Sequence, residues 1–306
     1  MVTLTVEELS VRFTLPDAVV AAVSDVSFSL VPGECLALVG ESGCGKSVLA
    51  SALLGFLPGN AEVAGRAMLG PLDLLTATDD VLSREVRGRQ IGLVPQSPAA
   101  HLTPVRTARS QLEEALRHLH PAESRPAADF VAARAGLSPA DLDLYPHQLS
   151  GGMAQRVATA LALAGDPWLI IADEPTTGLD RALVDALVAE LRLLVADGRA
   201  VLLITHDLAA ARRVADRIAV MYAGRLIEVG PGAEVLDAPR HPYARGLVDA
   251  LPDRAFTPIR GLPPVLTELP PGCAFSPRCD RVAEECADRP PLTEDHGHAV
   301  ACHNPC

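Results

Sequence analysis

Lysine is almost absent from this chain. Of its 26 basic residues one is lysine, Lys46, and the other 25 are arginine. An apolar run of 18 or more residues, the length a membrane-spanning helix needs, is also missing. No basic-then-apolar leader follows Met1. These two absences lead us to expect a soluble chain of the cytosol. Net positive charge is lacking as well: the formal charge of −12 argues against a general affinity for nucleic-acid phosphates, although a local basic patch is compatible with it. Neither an internal repeat nor long heptads are present.

What remains is an ordinary globular composition. With 306 residues, 49% apolar and 21% charged, the chain has room for one large α/β core and an extra module. "LALVG", "LIIAD" and "AVLLIT" read as short strands buried on both faces. "RALVDALVAELRLLVADG" reads as a helix closing on Gly198. From about Ser97 to Gly165 the pattern is mostly helical with Pro and Gly breaks. After about Pro231 prolines become frequent, which marks a linker and an appendix.

The lone lysine lies in "GESGCGKS", a match to G-x-x-x-x-G-K-[ST] directly after a predicted strand. Glycines in this pattern let the backbone curl so that successive N–H groups point at phosphate oxygens, at the positive end of the next helix. Lys46 would reach the β- and γ-phosphates as a compact charge, and the Ser47 hydroxyl would ligate Mg²⁺. A guanidinium is bulkier and forked, a poor substitute in a tight loop. Arginine thus serves wherever shape is indifferent, and lysine is kept where it is not.

"LIIADEP" delivers Asp173 and Glu174 to the C-terminal edge of a strand, where α/β sheets bind ligands. Asp173 suits a Mg²⁺ water shell, and Glu174 is placed to polarise an attacking water as general base. Read in isolation, the two could equally be solvated carboxylates at a strand end.

"LSGGMAQRV", taken with the glycine loop, "ADEPTTGLD" and "LLITHD", makes the chain resemble the ATP-binding subunit of an ATP-binding-cassette (ABC) transporter, over roughly Thr3 to Pro252. That resemblance implies an α/β P-loop NTPase cassette: a RecA-like core with an antiparallel β subdomain and a helical subdomain, plus a Cys-rich C-terminal extension. The expected boundaries are 1–235 for the ATPase domain, with the helical subdomain at about 97–165, and 236–306 for the extension. The resemblance implies that Gly40, Glu41, Ser42, Gly43, Cys44, Gly45, Lys46, Ser47 and Val48 cradle ATP, with Mg²⁺ served by Ser47, Gln96 and Asp173. Two such domains pair head to tail in the family. Ser150, Gly151, Gly152 and Gln155 of one chain then face the γ-phosphate held by the other. By the same resemblance Gln96 is the loop glutamine, Asp180 bridges the two chains, His206 is the switch histidine and Phe13 stacks on adenine. Gln96, Glu174 and His206 form the implied catalytic set. Gly178 stands where alanine is frequent, a departure expected to loosen the turn before Asp180.

"HPYARGLVDALP", "YPHQLSGG" and "GCAFSPRC" together resemble the oligopeptide/dipeptide/nickel importer subfamily, as does "LTPVRTARSQLEE", with Thr103 where asparagine is usual. This implies an ATPase at the cytoplasmic face of the membrane, with two permease subunits, an extracytoplasmic binding protein and a second ATPase chain. A heteromeric pair is expected ahead of a homodimer, and no nucleic-acid partner is expected. A nickel or metal-chelate importer and a non-transport ABC ATPase are the alternatives. Five of the seven cysteines crowd into the last 34 residues. Cys273, Cys279, Cys286 and Cys302 are separated by five, six and fifteen residues, wider than zinc pairs. We expect one metal centre there, a [4Fe–4S] cluster first, with zinc or bare thiols as alternatives. Cys306 and His303 are substitute ligands. The appendix has no periodic apolar pattern of its own, so a metal staple would explain its order.

Overall fold

The computed structural model describes residues 3–306; the expected start of the ATPase domain at residue 1 and the reading of a leader at Met1 lie outside them. Twelve strands occur among the described residues. In chain order they are β1 (Leu4–Thr14), β2 (Val19–Leu30), β3 (Cys35–Val39), β4 (Ala61–Leu69), β5 (Leu72–Asp73), β6 (Ile91–Val94), β7 (Leu169–Asp173), β8 (Ala200–Thr205), β9 (Arg217–Tyr222), β10 (Arg225–Pro231), β11 (Thr293–Asp295) and β12 (His298–Val300). The described residues divide into two compact units: residues 3–31, 35–77 and 205–306 form one, and residues 32–34 and 78–204 the other.

The first unit holds an antiparallel sheet in the order β2-β1-β4-β5. Its long strands alternate, so Leu4, Val6, Leu9 and Val11 of β1 are all buried while Glu7 and Glu8 are exposed, as a sheet covered on one face requires. These strands carry bulges, with Glu8 and Asp25 in left-handed backbone at φ 49° and 53°. The same unit orders β11-β12-β10-β9-β3, in which only β9 and β3 run parallel. β3 is buried along its whole length, the continuous apolar run expected of "LALVG".

The second unit has a three-stranded parallel sheet in the order β8-β7-β6. Around it lie the helices of the region expected to be helical, Ala108–Leu119, Ala128–Arg134 and Gly151–Leu163 among them. Helix Arg181–Ala196 ends one residue before Asp197, and Gly198 follows in left-handed backbone at φ 86°, as its sequence predicts. No helix among the described residues is long and apolar enough to cross a membrane.

Four buried side-chain atoms described in this unit lack a hydrogen-bond partner, Gln155 Nε2, Trp168 Nε1, Arg199 Nε and Glu190 Oε1, and the last is a titratable acid. Glu190 of helix Arg181–Ala196 lines a cavity of about 400 Å³ with Gln155, Arg156 and Leu193, and its Oε1 is buried without a hydrogen-bond partner. Burial pushes its carboxyl up to about 7, with Arg156 acting in the opposite direction. The folded state therefore keeps a proton that the unfolded chain loses near pH 4.5, and stability falls as pH rises from there to about 7. Glu190→Gln should match the parent at pH 4.5 and exceed it by about 1–3 kcal/mol at pH 8. Urea unfolding at both pH values checks this; an equal difference at both would refute it.

Candidate functional site

Two sets of residues carry the expected chemistry, one in each unit. Gly40–Val48, Phe13 and His206 belong to the first, and Gln96, Ser150–Gln155, Asp173, Glu174 and Asp180 to the second.

In the first set the apolar strand β3 runs straight into the glycine loop, and helix Lys46–Leu54 starts where the loop ends. The glycines are required sterically. A Cβ at Gly40 would stand 2.2 Å from the Met221 carbonyl oxygen, and one at Gly45 would stand 2.1 Å from that of Ala22. Gly45 also caps the helix in left-handed backbone at φ 106°. The loop is therefore pressed against neighbouring backbone, with no room for side chains on that face. Lys46 is 4% exposed and curls back into the loop, its Nζ donating to the carbonyl oxygens of Gly40 at 2.9 Å and Glu41 at 3.0 Å. Cys44 is buried beside it, and desolvation raises its thiol although Lys46 opposes this. Backbone N–H groups at a helix start, a buried ammonium and a hydroxyl at Ser47 are the groups from which a phosphate cradle is built. Phe13 is half-buried in β1 between Val20 and Ala61, and His206 is exposed directly after β8.

In the second set β7 buries its first four residues and delivers Asp173 half-buried at its end. Glu174 follows, 6% exposed and in left-handed backbone at φ 47°, its N–H donating to the Ile204 carbonyl at 2.8 Å. A non-glycine residue held there costs about 1–2 kcal/mol, a strain that clusters at functional sites. Gly178 has φ 76° and nothing within 4 Å of a Cβ, so its departure from alanine fits a left-handed turn that glycine adopts without strain. Asp180 caps helix Arg181–Ala196 by accepting from the Leu183 N–H at 3.0 Å. Ser150 caps helix Gly151–Leu163 by accepting from the Met153 N–H at 3.2 Å. The signature motif is thus a capped helix N-terminus whose donors lie beside Gly151 and Gly152. Gln155, one turn on, is buried with Nε2 unpaired. Gln96 is exposed in the segment after β6. The candidate Mg²⁺ ligands, the Ser47 hydroxyl, the Gln96 amide and the Asp173 carboxylate, all offer oxygen, which suits that hard cation.

The tail corrects one expectation. Among the described residues no group of three or more His, Cys, Asp or Glu side chains is arranged to hold a metal ion, so the [4Fe–4S] centre on Cys273, Cys279, Cys286 and Cys302 is not supported. The thiols are near enough to affect each other: burial pushes Cys302 up to about 11, with Cys273, Cys279 and Cys286 adding to it. The appendix does not need a staple to be ordered. β12 pairs with β10, Phe275 packs on Tyr222 and Tyr243, and buried His298 meets the buried Glu228 carboxylate at 2.7 Å. Its core is shared with the rest of the first unit, which a search for periodicity within the appendix alone could not find.

Sequence reasoning also missed Asp207, which caps helix Leu208–Val214 through the Ala210 N–H, and the contacts of Tyr243 and Arg278 with Glu41. Asp207 had a local signal, an aspartate just before an apolar run. The other two join positions more than 200 residues apart and had none.

The sequence profile of ABC transporters matches residues 23–177, and that of the C-terminal region of oligopeptide/dipeptide transporters matches residues 227–286. The oligopeptide transport ATP-binding protein OppD of Haemophilus influenzae is 40% identical, over 98% of this chain and 96% of its own. The dipeptide transport ATP-binding protein DppD of Bacillus subtilis is 42% identical, over 90% and 86%. Among solved structures, a dimer of the ATP-binding cassette MJ0796 with ADP and Pi superposes with a TM-score of 0.65 at 27% identity, covering 74% of this chain and 98% of that one. CbiO1 of Clostridium perfringens, part of an ABC transporter complex, superposes with a TM-score of 0.66 at 28% identity, over 77% and 90%. With a capped signature helix, a glycine loop closed around its one lysine and similarity along nearly its full length, the chain belongs to the ABC transporter family, as an ATP-binding subunit of the oligopeptide/dipeptide type.

Proposed function

We propose that this chain hydrolyses ATP to drive import of di- or oligopeptides through a membrane permease. The observation that carries the reading is the pairing of the phosphate cradle at Gly40–Ser47 with a C-terminal region that matches oligopeptide/dipeptide transporters. In this reading Lys46 and the loop amides hold the β- and γ-phosphates, and Glu174 takes a proton from the attacking water. Asp173, Ser47 and Gln96 would hold Mg²⁺, which would supply positive charge to neutralise the phosphates. His206 contacts the γ-phosphate and Phe13 the adenine. Ser150, Gly151, Gly152 and Gln155 act on the nucleotide of a second ATPase chain, with Asp180 bridging the two, so hydrolysis requires the pair. Closing and reopening of that pair is the motion passed to two permease subunits, with a binding protein delivering peptide. The second chain is a related but different ATPase, and the protein works at the cytoplasmic membrane face.

Deleting the gene should abolish uptake of labelled trialanine by intact cells and leave free alanine uptake unchanged. Undiminished tripeptide uptake, with no second peptide importer expressed, would contradict the proposal.

A further inference from the structure

Glu41, the second residue of the glycine loop, is held at all three of its polar groups. Its carbonyl accepts from Lys46 Nζ at 3.0 Å, inside the loop. Its N–H donates to the Tyr243 hydroxyl at 2.8 Å, and its carboxylate takes a two-pronged grip from Arg278, at 2.7 and 3.1 Å. Tyr243 lies in helix Pro242–Asp249 and Arg278 in the short turn Ser276–Arg278, so both come from beyond the matched nucleotide motifs.

Arg278 is built for this contact. Its side chain is 4% exposed, its Nε donates to the Arg260 carbonyl at 2.9 Å, and its guanidinium lies 5.8 Å from the ring centres of both Tyr222 and Phe275. The Glu41 carboxylate holds it firmly protonated. A planar fork meeting a carboxylate fixes direction as well as distance, which a lysine could not do. Tyr243, fully buried against Tyr222 and Phe275, gives the Glu41 N–H one fixed acceptor.

We infer that Arg278 and Tyr243 are positioning residues for ATP binding: the C-terminal appendix sets the conformation of the phosphate loop by clamping Glu41. This rests on the nucleotide reading above. Glu41 is then an anchor with its N–H already committed, and the phosphate-facing amides are those that follow it toward Ser47. A loop that binds anions through backbone N–H groups depends on the orientation of each peptide plane, and the clamp fixes the plane from which the others are turned.

The test measures Mg²⁺-ATP binding to the purified full chain, with KM and kcat in the assembled transporter. Arg278→Gln should weaken ATP binding and raise KM about tenfold, the scale of lost charge-assisted hydrogen bonds, with kcat changed less than about twofold. Arg278→Lys should fall between, keeping charge without the fork. Tyr243→Phe, which retains the ring and its packing, should weaken binding about threefold to tenfold and keeps the inference testable if Arg278→Gln fails to fold. Arg289→Gln is the control. It breaks a different ion pair of the same appendix, with Asp25 at 2.6 Å, and should leave ATP affinity unchanged. Folded Arg278→Gln and Tyr243→Phe proteins with parental affinity would overturn the inference, as would an equal loss in Arg289→Gln. Failure of the parent chain itself to bind ATP would sink the nucleotide reading and this inference with it.

Discussion

Glu174→Gln should bind ATP normally yet hydrolyse it ~10² times more slowly or worse, the usual scale for a lost general base. The substitution keeps the shape and removes only the ability to accept a proton. The backbone at this position explains why geometry should survive. Glu174 is held in left-handed backbone at φ 47° by the Ile204 carbonyl and by the turn in which the Thr177 N–H returns to the Glu174 carbonyl. The side chain is only 6% exposed, so little bulk water can replace it as base. The effect should appear in kcat with KM for ATP nearly unchanged, measured with the partner ATPase present. Turnover at the parental rate would remove Glu174 from the mechanism.

Lys46→Arg is expected to cost at least about 30-fold in nucleotide affinity, the consequence of losing a buried, hydrogen-bonded charge contact. The position already contains a cation, so the outcome rests on shape alone. Lys46 Nζ fits between the Gly40 and Glu41 carbonyls with the Cys44 sulfur 3.8 Å away, in a loop pressed against the Met221 and Ala22 backbone. A planar five-donor fork is longer and wider than that space, and entering it would displace the loop amides themselves. Equilibrium binding of ATP separates this from a folding defect when unfolding is followed in parallel. Parental affinity in Lys46→Arg would mean that the single lysine has no shape-based explanation.

These residues also show which features a sequence exposes. The buried strands "LIIAD" and "AVLLIT" and the helix ending at Gly198 were legible because each is a local pattern: an apolar run, or a 3.6-residue period with its stop signal. The glycine loop was legible because backbone curvature demands glycine at fixed spacing. The left-handed φ of Glu174 left no trace, since glutamate has no composition signal for strain. Long-range pairing was equally silent. Arg278 stood out in "GCAFSPRC" only as a mark of resemblance, and nothing in its neighbourhood points 237 residues back to Glu41. The cysteine spacing suggested a metal, while the order of the tail comes from aromatic packing and from β12 beside β10.

The most direct measurement is ATP hydrolysis by this chain assembled in liposomes with the permease subunits and second ATPase proposed above, with and without peptide-loaded binding protein. The account predicts slow basal hydrolysis that rises about tenfold or more when loaded binding protein is added, together with peptide accumulation, and the loss of both in Glu174→Gln. Hydrolysis that is equally fast with and without loaded binding protein, or peptide accumulation that survives Glu174→Gln in this chain, would contradict it.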